Sequence, residues 1–140
     1  MISLIERYPV LRKTIPALFI LWTLITFYLT LSPAQYLAEV DVFQFDKLGH
    51  FAMFGGWTGL IGLYLMLYKK DYNVNLLPLV IIGIAFGAFI EFLQLVLPVS
   101  RSASFMDMVA NSLGCLTAWA VLSFIQKRIT RFEKKNWQHH

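Results

Sequence analysis

Four long apolar runs divide the chain, and charged residues collect between them. The runs cover residues 15–31, 50–68, 76–97 and 105–125. A helix rises about 1.5 Å per residue, so runs of this length cross a hydrocarbon core about 30 Å thick. The first run exceeds the roughly 7–15 apolar residues of a secretory signal, so we interpret it as a retained span. The pattern predicts an all-α protein, a four-helix transmembrane bundle that forms one domain over residues 1–140.

Composition supports the same class of protein. Hydrophobic residues make up 58% of the chain and charged residues 14%, whereas soluble domains are about 45–50% apolar and about 25% charged. The net charge of +4 does not indicate a nucleic-acid partner, because the basic residues flank apolar runs and do not alternate with stacking aromatics. Cys115 is the single cysteine, so the sequence offers no disulfide and no cysteine cluster for a metal.

Lysine and arginine are distributed unequally between the connections. Ten of the twelve lie in the N-terminal tail, in the loop between the second and third runs, and in the C-terminal tail, whereas Lys47 and Arg101 lie on the other side. Cytoplasmic loops of membrane proteins carry an excess of these residues. We therefore expect a multi-pass protein of the cytoplasmic (inner) membrane with both termini cytoplasmic. The basic C-terminal tail is expected to be solvated or to lie against anionic lipid.

Polar residues enter the apolar runs at one end of the predicted bundle, on the external side. They come from the ends of three helices and the loop beside them, and they are Asp46, Lys47, His50, Glu91, Gln94, Arg101, Ser104, Asp107 and Asn111. An acidic residue at the centre of a span costs about 2.5–3.5 kcal/mol on insertion scales. Several such residues on three helices therefore indicate a shared polar cavity or an internal ion-pair network.

Helical spacing predicts which faces carry these residues. Small and polar residues recur at intervals of three and four, which places them on one face of a helix. The stripes are Gly83, Gly87, Glu91 and Gln94 on the third helix, and Asp107, Asn111, Gly114 and Ala118 on the fourth. Small residues let helices approach closely, so we expect both stripes to point into the bundle. On the second helix, His50 and the glycines at 55, 59 and 62 lie on roughly opposite faces, so we expect them to contact different partners.

The acidic residues have structural as well as functional interpretations. Asp46 either caps the second helix or belongs to the site. Asp107 lies three residues after Ser104, which is the spacing of a capping box, so it too is either a cap or a site residue. Glu91 is predicted to cap no helix, and a buried ionisable group in a membrane span indicates function most strongly.

The remaining polar residues are also open to two interpretations. Lys47 is either an interfacial residue that extends its ammonium group to the membrane surface or a ligand for an anion. Gln94 and Asn111 either join helices or contact a ligand. Arg101 is expected either to neutralise Glu91 or Asp107 or to anchor a lipid phosphate, because a guanidinium binds both groups through two hydrogen bonds.

Three functions compete on this basis. The first is a binding or accessory module for a membrane lipid, a lipid-linked envelope precursor, or a partner's transmembrane helix. The second is an enzyme that acts on a lipid-linked phosphorylated or glycosylated substrate at the outer leaflet, with His50, Glu91 and Asp46 as catalytic acid and base. The third is a carrier or flippase, which would require a homo-oligomer because four helices without an inverted repeat are few for alternating access. The expected binding residues are Lys47, Gln94, Arg101, Asp107 and Asn111.

A divalent metal is the least favoured ligand. Oxygen and imidazole groups are available, but they lie on three helices without a compact ligand spacing. The residues concerned are Asp46, His50, Glu91 and Asp107. The sequence therefore predicts no metal and no cofactor.

The motifs assembled so far resemble the VanZ-like family. They are D-K-x-x-H-F at 46–51, E-x-x-Q at 91–94, and R-x-x-S-x-x-D-x-x-x-N-x-x-G at 101–114. The resemblance implies a small polytopic bacterial membrane protein. The namesake of the family is an accessory factor in resistance to the antibiotic teicoplanin, which makes antibiotic resistance one function to consider. Carried over position by position, the resemblance marks Asp46, Lys47, His50, Glu91, Gln94, Arg101, Asp107 and Asn111, without assigning them a role.

Overall fold

The computed structural model describes residues 9–32, 46–68, 74–97 and 104–137. Within these ranges the regular structure is helical and consists of α1 (Pro9–Leu31), α2 (Asp46–Tyr68), α3 (Leu77–Val96) and α4 (Phe105–Trp137). Each helix contains a segment long and apolar enough to cross a membrane, and these segments are Lys13–Leu31, Lys47–Leu67, Leu77–Val96 and Phe105–Arg131. The predicted all-α class with four membrane-spanning helices is confirmed. The side of the membrane on which the termini lie stays a prediction.

The ends of the helices follow partly from local sequence. α3 begins after Asn75, whose side-chain oxygen accepts a hydrogen bond from the Leu77 N–H at 3.0 Å. α4 continues to Trp137, well past the predicted end at residue 125. Its extension is tied to the start of α3 by Gln126, whose Nε2 donates to the Val74 carbonyl at 2.9 Å. Part of the predicted tail is therefore a polar continuation of the last helix.

α2 occupies the centre of the bundle and packs most extensively against α4. At their crossing the two backbones touch, because a Cβ atom on Gly55 would lie 3.1 Å from the Gly114 carbonyl oxygen. A Cβ atom on Gly114 would overlap the carbonyl oxygen of Phe51. In a membrane, helices gain little from burying apolar surface against one another, so close packing of small residues contributes much of the association.

The polar and glycine-bearing parts of α2 contact the same partner. Three contacts follow one another along α4, and they are His50 with Asn111, Gly55 with Gly114, and Gly62 with Leu122. The prediction that His50 and the glycines face different partners is therefore wrong for Gly55 and Gly62. Because α2 lies along much of α4, α4 covers more of the α2 surface than a single stripe of residues.

An apolar core lies directly beneath the polar end of the bundle. Phe54, Ile90 and Cys115 are fully buried and belong to one packed cluster. Phe54 and Cys115 each lie one turn below a polar residue of the same helix, His50 and Asn111 respectively. On α2 and α4, a buried apolar layer therefore lies one turn below the polar residues.

Candidate functional site

Four buried polar side chains meet where α2 and α4 begin and α3 ends. They are His50, Glu91, Asp107 and Asn111, with exposed fractions between 1% and 6%. In an antiparallel bundle the first turns of α2 and α4 lie at the same level as the last turns of α3. We call these four residues the polar cluster; their functional roles stay predictions.

Asn111 joins His50 to Glu91. Its side-chain carbonyl oxygen lies 3.0 Å from His50 Nδ1, and because that oxygen only accepts hydrogen bonds, the imidazole N–H donates. The Asn111 Nδ2 group donates to Glu91 Oε1 at 3.5 Å. Gly87 leaves room for this amide, since a Cβ atom there would lie 3.0 Å from Asn111 Cβ. The glycine of the α3 stripe therefore positions the amide of α4.

Glu91 contacts both His50 and the start of α4. Its Oε1 atom lies 3.7 Å from His50 Nδ1, and its Oε2 atom accepts a hydrogen bond from the Ser104 N–H at 3.1 Å. Ser104 occupies the N-cap position of α4, because its carbonyl oxygen accepts from the N–H groups of Asp107 and Met108. The first N–H groups of a helix have no partner within it, so Glu91 satisfies one of them from a neighbouring helix. The prediction that Glu91 caps no helix is wrong.

Asp107 has the least satisfied side chain of the cluster. In a capping box its carboxylate would accept the Ser104 N–H, but that group donates to Glu91. Asp107 is 6% exposed, and among the described residues its Oδ1 atom has no hydrogen-bond partner. A buried acceptor without a donor costs about 1–3 kcal/mol. Its position is therefore not explained by capping α4.

The cluster is rich in hydrogen-bond acceptors. A ring nitrogen of His50 and one carboxylate oxygen each from Glu91 and Asp107 all lie within 4.8 Å of one another. Two charged carboxylates about 4 Å apart repel each other by about 4 kcal/mol at an effective dielectric constant of about 20. The arrangement therefore favours a neighbour that is positively charged or donates hydrogen bonds.

Comparison with known proteins identifies the family. The model of the VanZ/LLP1 family matches residues 7–126, a range that contains the whole polar cluster. The chain belongs to the VanZ/LLP1 family. Among curated proteins and solved structures, none matches it. The resemblance inferred from the sequence motifs is confirmed, and family and fold together make the chain a multi-pass membrane protein.

The other predicted site residues of this VanZ/LLP1 protein lie outside the cluster or outside the described residues. Gln94 is buried, and its Nε2 group donates to the Thr30 carbonyl at 2.8 Å, which ties α3 to the last turn of α1. Lys47 is exposed in the first turn of α2. Asp46 is the first residue of α2, but its side chain, like all of Arg101, lies outside what the structure describes.

Sequence reasoning missed two contacts between helices, one at the polar cluster and one nearer the middle of α2. The backbone N–H of Ser104 holds Glu91, and Thr58 donates to the Cys115 sulfur at 3.2 Å where Gly83 allows the helices to approach. A threonine in an apolar run most often donates to its own helix backbone, so Thr58 carries no distinguishing signal. Every residue except proline has a backbone N–H, so the residue type at position 104 does not reveal that its N–H contacts Glu91.

Proposed function

We propose that this VanZ/LLP1 protein binds the polar head group of an envelope lipid in the outer leaflet of the cytoplasmic membrane. The observation that carries the proposal is the burial of His50, Glu91, Asp107 and Asn111 together within a bundle of membrane-spanning helices. Ionisable groups at this depth are costly and are typical of binding sites and pathways. Apolar side chains would hold the helices together without that cost.

The chemistry of the cluster favours a particular class of head group. Glu91 and Asp107 present carboxylate oxygens, which accept hydrogen bonds from hydroxyl or ammonium groups. Lys47 is exposed in the first turn of α2, at the same end of the bundle, where its ammonium group complements a phosphate. A head group that combines phosphate with hydroxyl or amino groups fits both features. Lipid-linked envelope precursors and aminophospholipids belong to this class.

The uneven distribution of lysine and arginine supports the outer leaflet. Ten of the twelve lie in the two tails and the loop between α2 and α3, and basic connections are typically cytoplasmic. The polar cluster is at the opposite end of the bundle from that loop. This orientation would present the cluster to the external side.

Native mass spectrometry of the detergent-purified protein tests head-group binding. We expect one class of phosphorylated lipid to be retained above its share in the membrane extract. The Lys47→Ala variant is expected to bind that lipid about tenfold more weakly, because a charge-assisted hydrogen bond contributes about 1.5–3 kcal/mol. Lys127→Ala is the matched control, since Lys127 is also exposed and lies on α4 at the other end of the bundle. Lipid retention in proportion to the extract, or equal loss in both variants, would contradict the proposal.

A second candidate function is acid–base catalysis on the bound lipid. The specific observation in its favour is the 3.7 Å approach of His50 Nδ1 to Glu91 Oε1, with Asn111 holding the imidazole in place. A positioned imidazole and carboxylate together can transfer protons to and from a reacting group.

Mass spectrometry of lipid extracts incubated with the protein would detect this reaction as a new product. We expect His50→Ala to slow product formation by about 10²–10⁴-fold, which is the usual contribution of a positioned acid or base. Ser112→Ala is the control, because Ser112 is adjacent to Asn111 but its hydroxyl donates to its own helix at the Met108 carbonyl. The absence of any product that depends on His50 would leave binding as the function.

A further inference from the structure

We propose that His50, Glu91 and Asp107 coordinate one divalent transition-metal ion, such as Zn²⁺ or Mn²⁺, inside the membrane bundle. The three residues are buried and come from three different helices. This inference does not depend on lipid binding, since an ion by itself is the ligand.

The distances between the candidate ligand atoms are close to those around a bound metal ion. A ring nitrogen of His50 and one oxygen from each carboxylate lie within 4.8 Å of one another. Nitrogen and oxygen ligands bind Zn²⁺ at about 2.0–2.2 Å, which places the ligands of one ion about 3–4 Å apart. In the proposed site, side-chain rotation closes the remaining gap.

Asp107 supplies an independent observation that points to a ligand. Its side chain is more than nine-tenths buried, and among the described residues Oδ1 has no hydrogen-bond partner. The other carboxylate is differently arranged, because Ser104 holds Oε2 of Glu91 and leaves Oε1 beside His50. One carboxylate is thus fixed in orientation, and the other has an oxygen without a donor. A cation between them would satisfy both.

The charge and the chemical type of the three ligands indicate which class of ion would bind. Two carboxylates carry two negative charges, which a divalent ion neutralises without leaving net charge in the apolar bundle. An imidazole ligand favours zinc and other transition metals over calcium and magnesium, which prefer oxygen ligands alone.

Asn111 completes the proposed site. It currently accepts a hydrogen bond from His50 Nδ1 at 3.0 Å. A metal-bound histidine is neutral and keeps one ring proton, so an ion at Nδ1 requires the tautomer with that proton on Nε2 and leaves the Asn111 carbonyl oxygen without its donor. The same oxygen is then placed as a fourth ligand.

Metal titration of the purified, chelator-treated protein tests the proposal. The probes are Mn²⁺ followed by electron paramagnetic resonance and Zn²⁺ followed by elemental analysis after dialysis. All variants carry His139→Ala and His140→Ala, because the two terminal histidines are metal ligands in their own right. We expect one equivalent of ion per chain, with at least about tenfold weaker binding in Asp107→Asn, since even outer-shell substitutions cost about 10–100-fold.

The controls separate coordination from folding. Ser112→Ala is expected to bind as tightly as the parent, and the circular dichroism of Asp107→Asn is expected to match it. If Asp107→Asn fails to fold, Glu91→Gln is titrated in its place with the same expected loss. Stabilisation provides a second readout, in which Zn²⁺ raises the melting temperature of the parent but not of the variant. Binding well below one equivalent, or equal affinity in parent and variant, would overturn the site and leave lipid retention unaffected.

Discussion

Single residues in the polar cluster differ in how completely their polar atoms are satisfied. Asn111 uses both ends of its amide, one toward His50 and the other toward Glu91. Asp107 is also buried, yet its Oδ1 atom has no partner among the described residues. Substitutions at these two positions are therefore expected to change stability in opposite directions.

Asp107→Asn is expected to stabilise the metal-free protein. The substitution removes a buried negative charge beside Glu91 and replaces one carboxylate oxygen by an NH2 group that can donate a hydrogen bond, which is expected to raise the free energy of unfolding by about 1 kcal/mol. Thermal unfolding in detergent with excess chelator measures the effect. A lower melting temperature than that of the parent would show that the carboxylate is satisfied in the protein itself.

Asn111→Ala is expected to destabilise the protein. It removes two interhelical hydrogen bonds, each of which contributes about 0.6 kcal/mol on average and at most about 1.7 kcal/mol in membrane proteins. The expected loss is therefore about 1–2 kcal/mol in the same unfolding assay. Ser112→Ala should stay within about 0.5 kcal/mol of the parent, as substitutions away from such networks usually do. Equal stability of the two variants would mean that the amide contributes nothing to folding.

At the level of helices, the site depends on how closely α2 and α4 approach each other. Their backbones touch at Gly55 and Gly114, one turn below the polar cluster. A wider crossing would move Asn111 away from His50, because both side chains are short. The glycines thus set the distance over which the polar groups interact.

Gly114→Ala is expected to destabilise the bundle and to weaken the contact between His50 and Asn111. The added Cβ atom would overlap the Phe51 carbonyl oxygen, and overpacking of this kind costs about 1–3 kcal/mol. Gly59→Ala is the matched control, because a Cβ atom there meets no atom within 4 Å. Helix propensity alone would make that variant neutral or up to about 1 kcal/mol more stable. Unfolding measurements that rank the two variants in the reverse order would contradict the close crossing.

For the whole molecule, the main expectation beyond the fold is its orientation in the membrane. Within the described residues, Lys47 and Lys127 are both exposed and lie at opposite ends of the bundle. Each is thus available to a reagent on its own side of the membrane. They report on which end of the bundle faces outward.

Cysteine labelling in intact cells tests this orientation. The background is Cys115→Ala, which removes the single native cysteine; that residue is fully buried. We expect a membrane-impermeant maleimide to label Lys47→Cys from outside and Lys127→Cys only after permeabilisation, as the positive-inside rule requires. The opposite pattern would place the polar cluster at the cytoplasmic surface.

Much of the candidate site could be predicted from the sequence, because helical periodicity assigns a side chain to a face. The stripes through Glu91 and Asn111 do point into the bundle. The hydrogen-bond partners could not be predicted in the same way. Glu91 accepts from the backbone of Ser104, and Gln94 donates to the backbone of Thr30. Every residue type offers these backbone groups, so only their positions in space decide which of them a side chain meets.

The sequence by itself determined the four spans, the end of the bundle that carries polar residues, and the family. Hydropathy, length and motif spacing are properties of neighbouring residues, and they need no knowledge of how helices pack. Only the tertiary structure decided that α2 presents His50, Gly55 and Gly62 to α4, and that Glu91 takes the N–H that a capping box would give to Asp107. These outcomes depend on distances between residues that are far apart in the chain. The Oδ1 atom of Asp107, on which the proposed metal site rests, has no hydrogen-bond partner among the described residues, and only the tertiary structure shows this.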